Sequence, residues 1–156
     1  MRSKKSPKRQ VQIDPIFKSK LITRMVNILM MGGKKSVAET IIYKAIDRLA
    51  EDKKDALNIF ETAVKNVMPA QEVRSRRVGG ATYQVPVPLK HDRSEALAIR
   101  WIVSGARGKK GKPMDTKLYE ELKSAFDHTG SAIKKRDDTH KMAEANRAFA
   151  HFGKFN

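Results

Sequence analysis

Leu21, Ile22, Met25, Ile28 and Leu29 recur at three- and four-residue intervals, which places them on one face of an α-helix. Ser19 stands where a cap belongs, and Asp14-Pro15 reads as the cap of an earlier turn. Gly32-Gly33 closes the run, because a helix ends readily where the backbone turns left-handed. Ser36-Val37-Ala38-Glu39 has the form of a capping box. It predicts a second helix with Ala38, Ile41, Ile42, Ala45, Ile46 and Leu49 inward. A third is predicted from a cap at Asp55, with Ala56, Ile59, Phe60, Ala63, Val64 and Val67 facing the core and Pro69 stopping it.

The period changes at Val73. Val73 to Val78 and Ala81 to Val85 are two β-prone runs around Gly79-Gly80, the form of a hairpin with a two-residue turn. Pro86 and Pro88 cannot donate to a ladder, so the hairpin, at about residues 73–88, stands alone or at an edge. Helical spacing returns after Asp92-Arg93-Ser94-Glu95, with Ala96, Ile99, Ile102, Val103 and Ala106 inward. Arg107 to Pro113 reads as a mobile basic loop. A fifth helix carries Leu118, Leu122, Ala125 and Phe126 and ends at Thr129-Gly130. A sixth, mostly charged, runs from about Ser131 to about Phe149 with Ile133, Ala143, Asn146 and Phe149 inward. The fold class is therefore mainly α: one domain, residues 14–152, of about six helices with one protruding β-hairpin. A basic N-terminal arm, residues 1–13, precedes it, and a short tail, residues 153–156, follows.

Charge changes the picture from fold to partner. Lys and Arg number 33 against 17 Asp and Glu, a formal net charge of +16 on 156 residues. Such an excess repels itself unless a polyanion neutralises it, which implies nucleic acid first and an anionic membrane surface second. No apolar run approaches the ~20 residues of a membrane span, and Met1 to Gln10 lacks the apolar stretch of a secretory signal. With no cysteine, disulfides and Cys-ligated zinc are excluded.

The surplus is not spread evenly. Residues 39–61 are slightly acidic, with Glu39, Asp47, Glu51, Asp52, Asp55 and Glu61 against Lys44, Arg48, Lys53 and Lys54. The cations collect in the arm (Arg2, Lys4, Lys5, Lys8, Arg9), at Lys34-Lys35, on the hairpin (Arg74, Arg76, Arg77) and at Arg107, Lys109, Lys110 and Lys112. These are breaks between helices, where side chains and backbone N–H groups come close to phosphates. The arm has no acid to fold against and stays extended until phosphates order it.

Catalytic readings fail on spacing. Gly33-Lys34-Lys35-Ser36 has Lys34 where a phosphate loop needs Gly, so it is read as a phosphate contact beside a helix start and not as a nucleotide site. Asp137, Asp138, His140 and Glu144 have metal-ligand spacing, but Lys134, Arg136, Lys141 and Arg147 interleave them as in a salt-bridged exposed helix. His91 reads as part of a helix start, and Ser94 has no nucleophile elbow around it. No catalytic constellation, metal site or cofactor site is expected. Tyr43 and Trp101 are read as core or interface residues, whereas Tyr83, among three arginines, is a candidate for stacking on a nucleotide.

At the hairpin the residues resemble a known family. Arg76-Arg77-Val78-Gly79-Gly80-Ala81-Thr82-Tyr83-Gln84-Val85-Pro86 looks like the signature of small-subunit ribosomal protein seven. Asp14-Pro15 followed by Gly33-Lys34-Lys35-Ser36 resembles its N-terminal region, and His140 to Phe152 resembles its C-terminal helix, in the same order over essentially the whole chain. The bacterial or organellar branch fits best. The chain departs from many relatives at Phe152-Gly153-Lys154-Phe155-Asn156, where they carry an arginine and an aromatic straight after the helix.

The resemblance implies binding to the 3′ major domain of small-subunit ribosomal RNA, an early role in assembling the subunit head, and a seat near the exit-site tRNA and the messenger. It implies small-subunit ribosomal protein eleven as a neighbour, no membrane, and a cytoplasmic ribosome, with an organellar matrix or stroma also open. On this reading the arm, Lys34, Lys35, Arg77, Arg107, Lys109, Lys110 and Lys112 contact ribosomal RNA. Arg74, Arg76, Gly79, Gly80 and Tyr83 lie near tRNA and messenger. Two other classes compete. A DNA-binding architectural protein would want a short recognition helix or a dimer interface, and an RNA-cleaving enzyme would want converging carboxylates or a histidine pair. Neither pattern is evident.

Overall fold

The computed structural model describes residues 10–153. Six α-helices and one hairpin follow in the order α1 Lys20–Leu29, α2 Lys35–Asp47, α3 Lys53–Val67, β1 Gln71–Val78, β2 Ala81–Pro88, α4 His91–Gly108, α5 Met114–Phe126 and α6 Gly130–Ala145. A 3₁₀ segment, Arg147–Gly153, ends the described chain. Helix α5 packs against α2, α3, α4 and α6, so its inward residues Leu118, Leu122 and Ala125 are fully buried. Ile22 and Met25 of α1, Ile42 and Ile46 of α2, Phe60 of α3, and Ile99 and Ile102 of α4 complete the core. Burying each such side chain contributes roughly 1.5–3 kcal/mol, so the helical stripes hold the domain together.

Helix ends differ from the expected caps. Asp14 does cap a turn: Oδ2 accepts the N–H groups of Ile16 at 3.1 Å and Phe17 at 2.9 Å. Its Oδ1 accepts the Tyr43 hydroxyl at 2.7 Å, and burial, with the carboxylate next to it, raises the phenol above its ordinary pKa. Ser19 occupies the N-cap of α1 but its side chain makes no cap bond. The capping box at Ser36–Glu39 does not form, because α2 starts two residues early at Lys35 and Glu39 pairs with Lys35 at 3.5 Å. Asp55 is likewise inside α3, and Asp52 holds its N-cap position. Helix α4 starts at His91, so Ser94 and Glu95 turn inward. Ser94 Oγ donates to the Pro69 carbonyl at 2.7 Å, and Glu95 pairs with Arg24 of α1.

One cap comes from a distance. Glu121 on α5 is 1% exposed, and its Oε1 accepts Ser131 Oγ at 2.6 Å and the Ala132 N–H at 2.9 Å. A buried carboxylate thereby caps the first turn of α6, which has no acidic residue of its own there. Phe126, expected inward, is 40% exposed at the end of α5. Helix α6 stops at Ala145 instead of running to Phe149. Asn146 ends it, and the chain tightens into the 3₁₀ segment that carries Phe149 and Phe152 onto the hairpin.

Candidate nucleic-acid interface

The hairpin forms as its glycines require. Gly79 and Gly80 hold φ of +57° and +89°, the pair of left-handed conformations of a two-residue turn, and Val78 pairs with Ala81 across it. Among the described residues the sheet has two strands only, with Pro86 and Pro88 paired to Val73 and Gln71 near the base. Strands of eight residues reach about 26 Å from base to tip. The base is anchored. Val85 is fully buried, and Ala70, just before β1, donates its N–H to His140 Nε2 of α6 at 3.1 Å.

The arginines divide by partner. Glu72, only 9% exposed, holds Arg74 at 2.6 Å and Arg93 of α4 at 3.1 Å. Burial pushes the Glu72 carboxyl up, but hydrogen bonds from the two guanidiniums outweigh it and hold it below the ordinary carboxylate range. Arg74 is therefore neutralised by an acid one residue outside the acid-free stretch from Val73 to Pro88. Arg76 Nη1 donates to the Phe152 carbonyl at 3.0 Å. Arg77 is exposed beside the turn and meets no carboxylate among the described residues. Tyr83 is not an open stacking face. Its ring lies 5.3 Å from Phe149 and 5.0 Å from Phe152, centroid to centroid.

The second basic region gathers at the other end of α4, about 27 Å away along its 18 residues. Lys34 follows Gly32 and Gly33, whose φ values of +59° and +75° make the turn between α1 and α2. Arg107, in the last turn of α4, donates to the Leu29 carbonyl at 3.0 Å and so closes the end of α1. Lys34 and Arg107 border one cleft of about 360 Å³ whose walls include Met30, Met31, Val37 and Met114. The arm enters beside it, since Gln12 and Ile13 line a smaller pocket with Lys35 and Glu39. Arg2, Lys4, Lys5, Lys8 and Arg9 lie outside the described residues.

The 107–112 segment is tied down and not a free basic loop. Lys109 Nζ lies 3.1 Å from Glu121 and 3.7 Å from Glu120, and Lys112 pairs with Glu120. Burial raises the Glu121 carboxyl, yet the Ser131 hydroxyl, the Ala132 N–H and Lys109 together hold it below its ordinary value. Lys110 is exposed and has no carboxylate partner among the described residues. Lys34, Lys110 and Arg77 are thus the described cations of the expected set that the fold leaves for an external anion.

The residues weighed for catalysis have structural work. His140 accepts the Ala70 N–H, Asp137 pairs with Arg136 at 2.6 Å, and Glu144 pairs with Arg147 at 3.5 Å. Among the described residues no group of three His, Asp or Glu side chains is placed to hold a metal, and no helix is long and apolar enough to cross a membrane. Sequence reasoning missed Phe152, whose part in the hairpin surface depends on the break at Asn146. A phenylalanine three residues after Phe149 was the available signal.

Residues 1–147 match the sequence profile described as Ribosomal protein S7p/S5e. The chain is 58% identical over 153 residues to the small ribosomal subunit protein uS7 of Fervidobacterium nodosum, covering 97% of this chain and 99% of the relative. It is 54% identical to that of Thermotoga maritima, with the same coverage, and 53% identical over 152 residues to that of Pelagibacter ubique, covering 97% of each. The chain belongs to the S7p/S5e family of ribosomal proteins, of bacterial type, and is a structural and non-enzymatic protein.

Proposed function

We propose that the chain binds the 3′ major domain of small-subunit ribosomal RNA in the cytoplasmic ribosome, nucleates assembly of the subunit head, and holds its hairpin near exit-site tRNA and messenger. The observation that carries this reading is the division of cations between two ends of α4. One end gathers the root of the arm, Lys34 and Lys110, and the other presents Arg77 on a projecting hairpin. Scattered solvation charges would be matched by acids, as Lys109, Lys112 and Arg74 are. Unmatched cations at a turn and a hairpin tip suit phosphates, which set the position of a protein on RNA. The sequence before Gln10 carries Arg2, Lys4, Lys5, Lys8 and Arg9. Protein eleven of the small subunit is the proposed protein neighbour.

Reconstitution tests the assembly role. Small subunits assembled without this chain should lack the head proteins and recover them when it is added back. A head that assembles equally well without it would remove the nucleating role.

A further inference from the structure

The walls of the 360 Å³ cleft beside the α1–α2 turn are built by Met30, Met31, Val37, Ile41 and Met114. Met31 is 70% exposed and Val37 53%, so the cleft is open and its rim is apolar. Apolar surface gathered in one exposed place marks an interaction site. Val37 and Ile41 stand one turn apart on α2 and make one wall, and Met114 opens α5 on another. Methionine is unbranched and polarizable, which suits a surface that must fit a partner's side chains. The frame is fixed: the Lys34 N–H bonds the Met31 carbonyl at 3.2 Å, and Arg107 bonds the Leu29 carbonyl at 3.0 Å. Lys34 and Arg107 stand at the border, and no carboxylate among the described residues lines the cleft.

We propose that this cleft is the docking site for an acid-flanked amphipathic helix of a partner protein. Its apolar ridge lies between Met31, Val37 and Met114, and its carboxylates face Lys34 and Arg107. Charge selects this occupant. A second copy of the chain carries +16 and is repelled. RNA would satisfy Lys34, but its sugar and phosphate oxygens would meet apolar walls that give them no partner, and no aromatic ring lines the cleft for a base to stack on. Leucines and carboxylates at helical spacing match the walls and the border together. The docked helix covers Lys34, so it and ribosomal RNA exclude each other. That exclusion rests on the RNA-binding reading above; the docking itself does not.

The test uses the full chain with its seven methionines isotope-labelled at the methyl groups, followed by NMR. The probe is a helical peptide of about 15 residues with leucines at three- and four-residue spacing and glutamates beside them. One control peptide carries Lys for each Glu, and another Ser for each Leu. The Met30, Met31 and Met114 methyls should shift with the Glu peptide, while Met25 in the core and Met142 on α6 stay in place. Met31→Ser and Val37→Ser, both at exposed positions, should each weaken the peptide about 5- to 10-fold. Both should keep affinity for the 3′ major domain transcript within about twofold. Either control peptide should bind at least about tenfold more weakly, and the transcript should displace the Glu peptide. Shifts confined to other methyls, or equal binding of the Lys peptide, would overturn the docking site. Transcript affinity lost in Met31→Ser, with the cleft methyls silent to the peptide, would assign the cleft to RNA instead. A peptide that stays bound beside the transcript refutes the exclusion. A wild-type chain that binds the peptide and ignores the transcript refutes the broader RNA reading and leaves the docking site standing.

Discussion

Arg76 and Phe152, 76 residues apart in the chain, are joined by a 3.0 Å bond from the guanidinium to the main-chain carbonyl. The hairpin is consequently not an isolated projection. Its second strand is the seat of the C-terminal 3₁₀ segment, through the Tyr83, Phe149 and Phe152 rings.

Replacing Arg76 to Tyr83 by a short turn should leave the cooperative melt of the helical core within about 1 kcal/mol of wild type, since surface changes away from the core cost little. Val85 and the helix stripes remain buried. The amides of residues 147–152 should lose hydrogen-exchange protection, because their docking surface is gone. Ribosomes carrying the variant should show altered exit-site tRNA occupancy with normal subunit incorporation. Protected 147–152 amides in the variant would contradict the docking. Lost incorporation with a normal melt would make the hairpin a ribosomal-RNA anchor instead.

Glu121 should be a principal acid-sensitive point of the fold. Its carboxyl is held below the ordinary value by Ser131, the Ala132 N–H and Lys109 despite the opposing effect of burial. A depressed folded pKa stabilises above the unfolded value, about 4.3, and that stability is lost as pH falls through the folded pKa. Glu121→Gln should therefore lower the melting temperature at pH 7 and converge with wild type in acid. Glu121→Ala removes the cap of α6 as well and should cost about 2–4 kcal/mol in urea unfolding, given about 1.5–3 for each hydrogen bond to a charged group. A Gln variant whose deficit persists unchanged well below pH 4 would sink this assignment.

The broad architecture was legible because it rests on periodicity. Helical stripes such as Ala56, Phe60, Ala63, Val64 and Val67 and the Gly79-Gly80 turn are local signals, and each appears where the pattern places it. Caps were less legible. Ser36, Asp55 and Asp92 have the right chemistry, but the helices begin up to three residues earlier, and Ser94 and Glu95, beside Asp92, go to tertiary partners, the Pro69 carbonyl and Arg24. Long-range pairs were not legible at all. Glu72 with Arg93, Glu121 with Ser131 and Arg76 with Phe152 need elements brought together by the core, which no local pattern specifies. Of the candidate site, the clustering of cations could be read from the chain, but not which of them acids would neutralise.

The turn between α1 and α2 is the next point of test. Lys34 and Lys35 lie at the start of α2 beside the arm, and Lys34 meets no carboxylate among the described residues. Reversing both to Glu should weaken binding to the 3′ major domain transcript, and each lost phosphate contact should flatten the salt slope by about 0.7–0.9. The fold should lose less than about 1 kcal/mol, because both side chains are exposed and only the Lys35–Glu39 pair is exchanged for a like-charge pair. Wild-type affinity in the double variant would show that this turn faces solvent in the complex.

The most direct measurement of the central claim is the affinity of the full chain for the 3′ major domain transcript across a salt series, with duplex DNA of equal length as competitor. If about six phosphates are neutralised, log K should fall with log salt at a slope of about −4 to −5, and the transcript should be preferred over the duplex at every salt concentration. A flat slope, or equal affinity for the DNA duplex, would contradict the account.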